Sequence, residues 1–373
     1  MQSRTKRRIT SLVRYRLFGA VVATVVCIVA ISACDILPNQ VGIPREYFDS
    51  VVDAATDVPA LALLNESSLF ESIPERIGHH GATLAILNDG RMMAAWYSYR
   101  GPEELDGASI YFATKSADAT VWSAPRLVPD LPEPAGNPLL VVRDGRVQLY
   151  FAHAPLQWWS SSVWLTESDD EGASWSPARP LALPAGANLR NPPIQLDDGT
   201  MVMPAYSDFW LNALMLRGLS SDGDQWQVRP VYGPNEDILL QPAVVELTDG
   251  SLLMAGRNRG GERILYATSP DRGATWTTAQ RGDLPNPDSA LALTRLRDGR
   301  LLIIFNDSAT DRTPLVALVS DDDGVSWSGR TVLADEMGAF SYPSVVQTTD
   351  GMLHVTFSQN RERIVYQVWR VTE

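Results

Sequence analysis

Cysteine is almost absent from this 373-residue sequence: Cys27 and Cys34 are the two, and none follows. A disulfide framework is therefore excluded for everything after residue 34, and the fold has to rest on an apolar core. Basic residues are also scarce once the first 33 positions are set apart. Residues 1–33 hold six of the 31 basic residues and no acidic one, which leaves 25 against 44 acidic residues and a net charge of −19. That excess excludes nucleic acid and anionic headgroups as the main partner. Histidine is rare too, and of the four, His79 and His80 adjoin. Adjacent residues on a strand face opposite ways, so they do not form a metal pair; neither a metal nor a cofactor is expected. With 45% apolar residues the chain has the composition of a folded protein, not of a disordered acidic tail.

The N-terminus reads as an export signal. Arg4, Lys6, Arg7, Arg8, Arg14 and Arg16 precede an apolar run over residues 17–31. The run is short for a membrane span and suits a signal h-region. It ends in Ile31-Ser32-Ala33-Cys34, which resembles the bacterial lipobox. That resemblance implies cleavage before Cys34 and acylation of its thiol, with Cys27 discarded. The expected organisation is a lipoprotein signal peptide at 1–33, a lipidated Cys34 with a tether over 34–56, and one domain at 57–373. The lipid would hold the protein at a bacterial membrane, with the domain facing the periplasm or the cell exterior.

Self-similarity decides the fold of that domain. Ser168-Asp-Asp170-Glu-Gly172-Ala-Ser174-Trp175 returns as Ser269-Pro-Asp271-Arg-Gly273-Ala-Thr275-Trp276 and as Ser320-Asp-Asp322-Asp-Gly324-Val-Ser326-Trp327. Degenerate copies run from Ser220 to Trp226 and from Ser116 to Trp122, so the serines are spaced by 52, 52, 49 and 51 residues. This is the Asp-box: Asp and Ser/Thr close a tight turn on backbone N–H groups, Gly supplies positive φ, and Trp packs between sheets. A second marker keeps the same period. Asp-Gly pairs stand at Asp89, Asp144, Asp198, Asp249, Asp298 and Asp350, each between apolar runs, and predict six type I′ hairpins. A hairpin followed by an Asp-box turn makes a four-stranded blade, so the expected fold is all-β, a six-bladed β-propeller with Asp-box turns. Residues 57–69 are expected to lie against the last blade and close the ring.

In a propeller the innermost strands line the channel, so residues a few places before each hairpin converge on one mouth. They are His80, Asn137, Arg190 with Asn191, Gln241, Asp288 with Ser289, and Tyr342. None is aliphatic; such a polar ring either binds a ligand or bonds neighbouring blades together. Phe340-Ser-Tyr342-Pro-Ser before Asp350-Gly351 resembles the segment that carries the tyrosine nucleophile of sialidases, and the likeness extends over roughly residues 75–373. It implies an acidic-glycan substrate, with Tyr342 as nucleophile and Asp106, 26 residues after His80, as acid/base. Arg257 and Arg312 match carboxylate-binding arginines, with Arg190, Asn191, Asn137 and Asp288 around them. A carboxylate on the anomeric carbon would repel a carboxylate nucleophile, which is why a tyrosine serves, and arginines grip such a group with paired charged hydrogen bonds.

Two positions depart from that pattern. His80 stands where the family has an arginine, and Gln241 where it has the glutamate that assists the tyrosine. Gln241 can orient a phenol but cannot take its proton. Three functions therefore stay open: a sialidase-like glycoside hydrolase, a propeller lyase acting on uronate glycans through His80 and Tyr342, and a non-catalytic glycan-binding lipoprotein. The chain is expected to act as a monomer. Glu103 and Glu104 are alternative acids, and Trp158-Trp159 is a candidate sugar-stacking pair.

Overall fold

The structure, a computed structural model, describes Tyr47, Ser50–Val51 and residues 58–218 and 225–372. All belong to the unit Val41–Glu373. The signal segment, Cys34, most of the tether and the degenerate turn at Ser220 lie outside the described residues.

The described residues form six sheets, antiparallel but for one short added strand, arranged as a propeller, with one short 3-10 turn at Trp158–Ser160 and no α-helix. In blade 1 the strands run outward as Gly78–Ile86, Met92–Tyr99, Ser109–Lys115 and Arg126–Leu127. Blades 2 to 5 repeat this order along the chain. Blade 6 takes three strands from the C-terminus, Phe340–Gln347, Met352–Gln359 and Arg363–Val371, and its outer strand, Leu61–Ser68, from the start of the domain. Leu61 pairs with Val371 and Ser68 with Val365, so the two ends of the chain are joined in one sheet, on the segment expected to close the ring. From the stretch read as a tether, Tyr47 packs its ring 5.9 Å from that of Tyr266, and Ser50–Val51 pair in parallel with Ser326–Trp327.

The second strands are apolar on both faces because each sheet is covered by both neighbours. Met92–Tyr99 is buried at all eight positions. Six core clusters result, each wedged between adjacent sheets; Trp96, Trp327, Tyr97, Tyr366, Phe112 and Phe151 are among the largest side chains sealed there.

The Ser-x-Asp-x-Gly turns show why the motif needs those residues. In the turn at Ser168, the serine hydroxyl donates to Asp170 at 2.8 Å and accepts the Gly172 N–H at 2.7 Å. Asp170 also accepts the Ser174 N–H at 2.8 Å and its hydroxyl at 2.6 Å. The turns at Ser269 and Ser320 repeat the set with Thr275 and Ser326. The donors from Ser174 and Ser168 hold the Asp170 carboxyl down at about 2.

The hairpins differ from expectation. In blade 2, Asp144 and Gly145 both have positive φ (50° and 83°) and Arg143 pairs with Arg146, the two-residue turn the Asp-Gly pair predicts. In the other five the Gly N–H donates three residues back, as Gly90 does to Leu87 at 3.0 Å, and only the glycine is left-handed. These are type I turns with a glycine bulge. The aspartate is kept at negative φ because its carboxylate accepts the N–H two residues on, from Arg91, Thr200, Ser251, Arg300 and Met352.

Candidate active site

Each innermost strand kinks near its mouth. Pairing slips between His80 and Thr83 in blade 1, Gly136 and Leu139 in blade 2, Leu240 and Ala243 in blade 4, and Ser341 and Ser344 in blade 6. At the kinks Gly81, Asn137, Gln241 and Tyr342 take positive φ (65°, 44°, 50° and 59°), and Asp288 in blade 5 does the same at 57°. In blade 3 the strand breaks outright between Ala187–Leu189 and Ile194–Gln195, with Arg190 and Asn191 in the gap. A bulge of this kind turns a side chain out of the pleat and toward the channel. Left-handed backbone in non-glycine residues costs about 1–3 kcal/mol each, and its clustering here marks a built site. In blade 1 the kink belongs to Gly81, so His80 is one residue off the ring.

A cavity of about 600 Å³ opens at this mouth. Of the residues the sequence points to, Asn137, Gln241, Arg257, Asp288, Arg312 and Tyr342 line it. Gln241 Nε2 donates to the Tyr342 hydroxyl oxygen at 2.9 Å and to that of Tyr206 at 3.2 Å, while its Oε1 accepts Arg257 Nη1 at 3.0 Å. A guanidinium only donates, so the amide orientation is fixed. Arg257 Nε donates to Asp288, Arg312 Nη2 donates to the Asp288 carbonyl at 2.9 Å, and Asn137 Nδ2 donates to the Tyr206 hydroxyl at 3.2 Å.

Four sequence-derived positions fall elsewhere. Arg190 is buried beneath Tyr342: it donates to the carbonyls of Ala82 at 3.1 Å, Tyr342 at 2.6 Å and Pro343 at 2.9 Å, with its guanidinium carbon 5.0 Å from the tyrosine ring centre. Burial lowers its pKa to about 10, so it stays charged. Asn191 donates to the carbonyls of Gln241 and Pro242 at 3.3 and 3.0 Å. These two tie blade to blade across the kinks, and neither lines the cavity. Arg190→Leu is expected to lower stability by roughly 3 kcal/mol in urea unfolding, because three buried carbonyls lose their donors.

His80 is fully buried, with Nδ1 2.8 Å from Ser358 Oγ and its ring 4.2 Å from that of Tyr342. Burial first, then Arg361, Arg312, Arg190 and Arg257, push its pKa well below 6.5, so the ring is neutral. It packs under the tyrosine and does not line the cavity. Asp106 is exposed and outside the cavity; its carboxylate accepts the Glu103 N–H at 3.2 Å and closes its own loop. Glu104 reaches the cavity instead, where it accepts the Tyr97 hydroxyl and pairs with Arg361 at 3.2 Å.

Sequence reasoning missed Arg361, Tyr206, Asp208 and Tyr97, and named Glu104 only as an alternative to Asp106. A signal existed for two of them, Tyr97 and Tyr206. The residue seven places after each hairpin glycine is Tyr97, Ala152, Tyr206, Arg257, Asn306 and Ser358, all at one height on the second strands. Trp158 and Trp159 line the rim.

Residues 90–355 match the BNR repeat-like domain family. The chain belongs to that family. A sialidase of Bacteroides fragilis is 26% identical over 250 residues, covering 58% of this chain and 44% of its own length, so the chain spans less than half of that relative. Among solved structures, a protein of unknown function from Dyadobacter fermentans superposes with a TM-score of 0.71 at 16% identity, over 84% of this chain and all of that one. The leech intramolecular trans-sialidase, complexed with 2,7-anhydro-Neu5Ac, gives 0.68 at 14% identity over 82% and 70%. The family member is thus a sialidase-like propeller, and the two structural likenesses speak for its fold.

Proposed function

We propose that the chain is an exo-acting glycoside hydrolase of sialidase type, taking a sugar with a carboxylate on its anomeric carbon. The observation that carries this is the gathering of Arg257, Arg312 and Arg361 around the cavity that holds the Tyr342 hydroxyl. Arg361 stands in for the arginine that His80 replaces: it comes from the hairpin between the last two strands, where the sequence pattern gave no hint of it. With Arg259, four guanidinium groups in one mouth of a strongly acidic protein focus an anionic ligand onto the tyrosine. A volume of about 600 Å³ suits a single acidic sugar with part of its leaving group. Export by the segment 1–33 and a lipid on Cys34 would place this activity at a bacterial membrane, facing the periplasm or the exterior.

The full chain is expected to release 4-methylumbelliferone from its α-sialoside, and Arg361→Met to raise KM at least about 10-fold through the lost charged hydrogen bonds. No release, together with no calorimetric binding of 2-deoxy-2,3-dehydro-sialic acid, overturns the reading. Binding without release would favour the glycan-binding alternative, which has its own observation: among the described residues no carboxylate is hydrogen-bonded to the Tyr342 hydroxyl. The lyase alternative needs His80 in the cavity, and its burial away from the lining argues against it.

A further inference from the structure

Asp208 is the one acidic side chain in the cavity lining that no close ion pair engages. Asp288 takes Arg257 Nε, and Glu104 takes Tyr97 and Arg361. Asp208 follows the second strand of blade 3, its N–H anchored on the Gly186 carbonyl at 3.0 Å. Its side chain is 15% exposed, and its ion-pair contact, Arg259 Nη1, stands at 3.9 Å. The groups facing it are Tyr206 on its own strand, Arg257 and Arg259 on the neighbouring second strand, and Asn188 on the broken inner strand. Burial raises its pKa to about 6 against the pull of both arginines. A carboxyl sheltered beside a reacting centre keeps its proton and is a ready acid.

We infer that Asp208 is the catalytic proton donor of the reaction proposed above, in place of the acid expected in the blade 1 loop. The inference rests on the hydrolase reading. In the first step the Asp208 proton passes to the glycosidic oxygen, which leaves with the bonding electron pair as an alcohol. The Tyr342 oxygen bonds to the anomeric carbon and its own proton goes to cavity water. In the second step a water attacks that carbon, Asp208 takes the proton of the attacking water, and Tyr342 departs and regains a proton from solvent. Trp159 and Leu211 line the cavity and are exposed, as are Phe209 and Trp210 next to Asp208 in the chain, and this apolar rim would receive the leaving group on the side of the acid.

The test compares two substrates on the full chain, 4-methylumbelliferyl α-sialoside, whose leaving group needs little protonation, and 3′-sialyllactose, whose leaving group needs it fully. Asp208→Asn is expected to lose about 100-fold in kcat/KM on sialyllactose and under about 10-fold on the aryl substrate. A donor works in its protonated form, so wild-type activity on sialyllactose should fall as pH rises through about 6, and Asp208→Asn should lack that limb. Equal losses on both substrates, or a limb that survives in Asp208→Asn, overturn the role while leaving the hydrolase reading intact. A wild type inactive on both substrates overturns the hydrolase reading and this role with it. Should Asp208→Asn fail to fold, Asp208→Glu must keep the limb and the substrate ratio within about 10-fold, and loss of the limb in that variant rejects the assignment.

Discussion

Tyr342→Phe is expected to lower kcat/KM on an aryl α-sialoside by on the order of 10³-fold or more while the fold persists. The loss is large because the hydroxyl is the proposed nucleophile, and nothing else in the lining replaces it: the Tyr206 hydroxyl already accepts hydrogen bonds from both Gln241 and Asn137. The fold persists because the ring, not the hydroxyl, does the packing. His80 lies 4.2 Å from that ring on one side and the Arg190 guanidinium 5.0 Å away, and Arg190 bonds to the Tyr342 carbonyl, which Phe retains. Gln241 Nε2 keeps Tyr206 as acceptor, so the stability change should stay near 1 kcal/mol in urea unfolding. Binding of 2-deoxy-2,3-dehydro-sialic acid should be unchanged, since the arginines are untouched. Retained turnover would remove Tyr342 from the chemistry and leave its strained backbone without a catalytic purpose.

The repeat made the blades legible because each motif states a local backbone need. Gly172, Gly273 and Gly324 sit at φ of 87°, 84° and 90°, and the aspartate and serine of each turn saturate the same N–H groups. The hairpin type was less legible, since Asp-Gly fits both turn classes. Four of the five bulged turns carry a buried leucine two places before the aspartate, at Leu87, Leu196, Leu247 and Leu296, but blade 6 makes the same turn with Thr348 there. In the site, Tyr342, Gln241, Asp288 and Asn137 were readable from their phase against the hairpins, and Arg257 and Arg312 from the likeness to sialidases. Arg190 and Asn191 share that phase but spend their donors on neighbouring carbonyls, a difference that depends on how the blade 3 strand breaks. Arg361 and Glu104 come from loops whose lengths follow no repeat. Periodicity finds positions on strands; it does not tell which loop residue bends back over a channel.

The residue most open to test by gain of function is Gln241. Its amide presents oxygen to Arg257 and nitrogen to Tyr342 and Tyr206, so two phenol oxygens receive hydrogen bonds and neither has a carboxylate to take its proton. Gln241→Glu changes one atom at nearly constant volume. One carboxylate oxygen keeps the Arg257 bond, and the other becomes an acceptor for the Tyr342 hydroxyl. Arg257, on which Asp288 already sits, offsets the added charge. A positioned general base contributes about 10²–10⁴-fold, so Gln241→Glu should raise kcat on an aryl α-sialoside by on the order of 10³-fold. The base must be ionised, which adds a limb that falls as pH drops through its pKa. Gln241→Leu, which breaks all three bonds, should lose activity and serves as the control. If Gln241→Glu gains nothing, proton removal from Tyr342 does not limit the wild type; Gln241 then acts by donating to the phenol oxygen, where its N–H supports the negative charge that a glutamate would oppose.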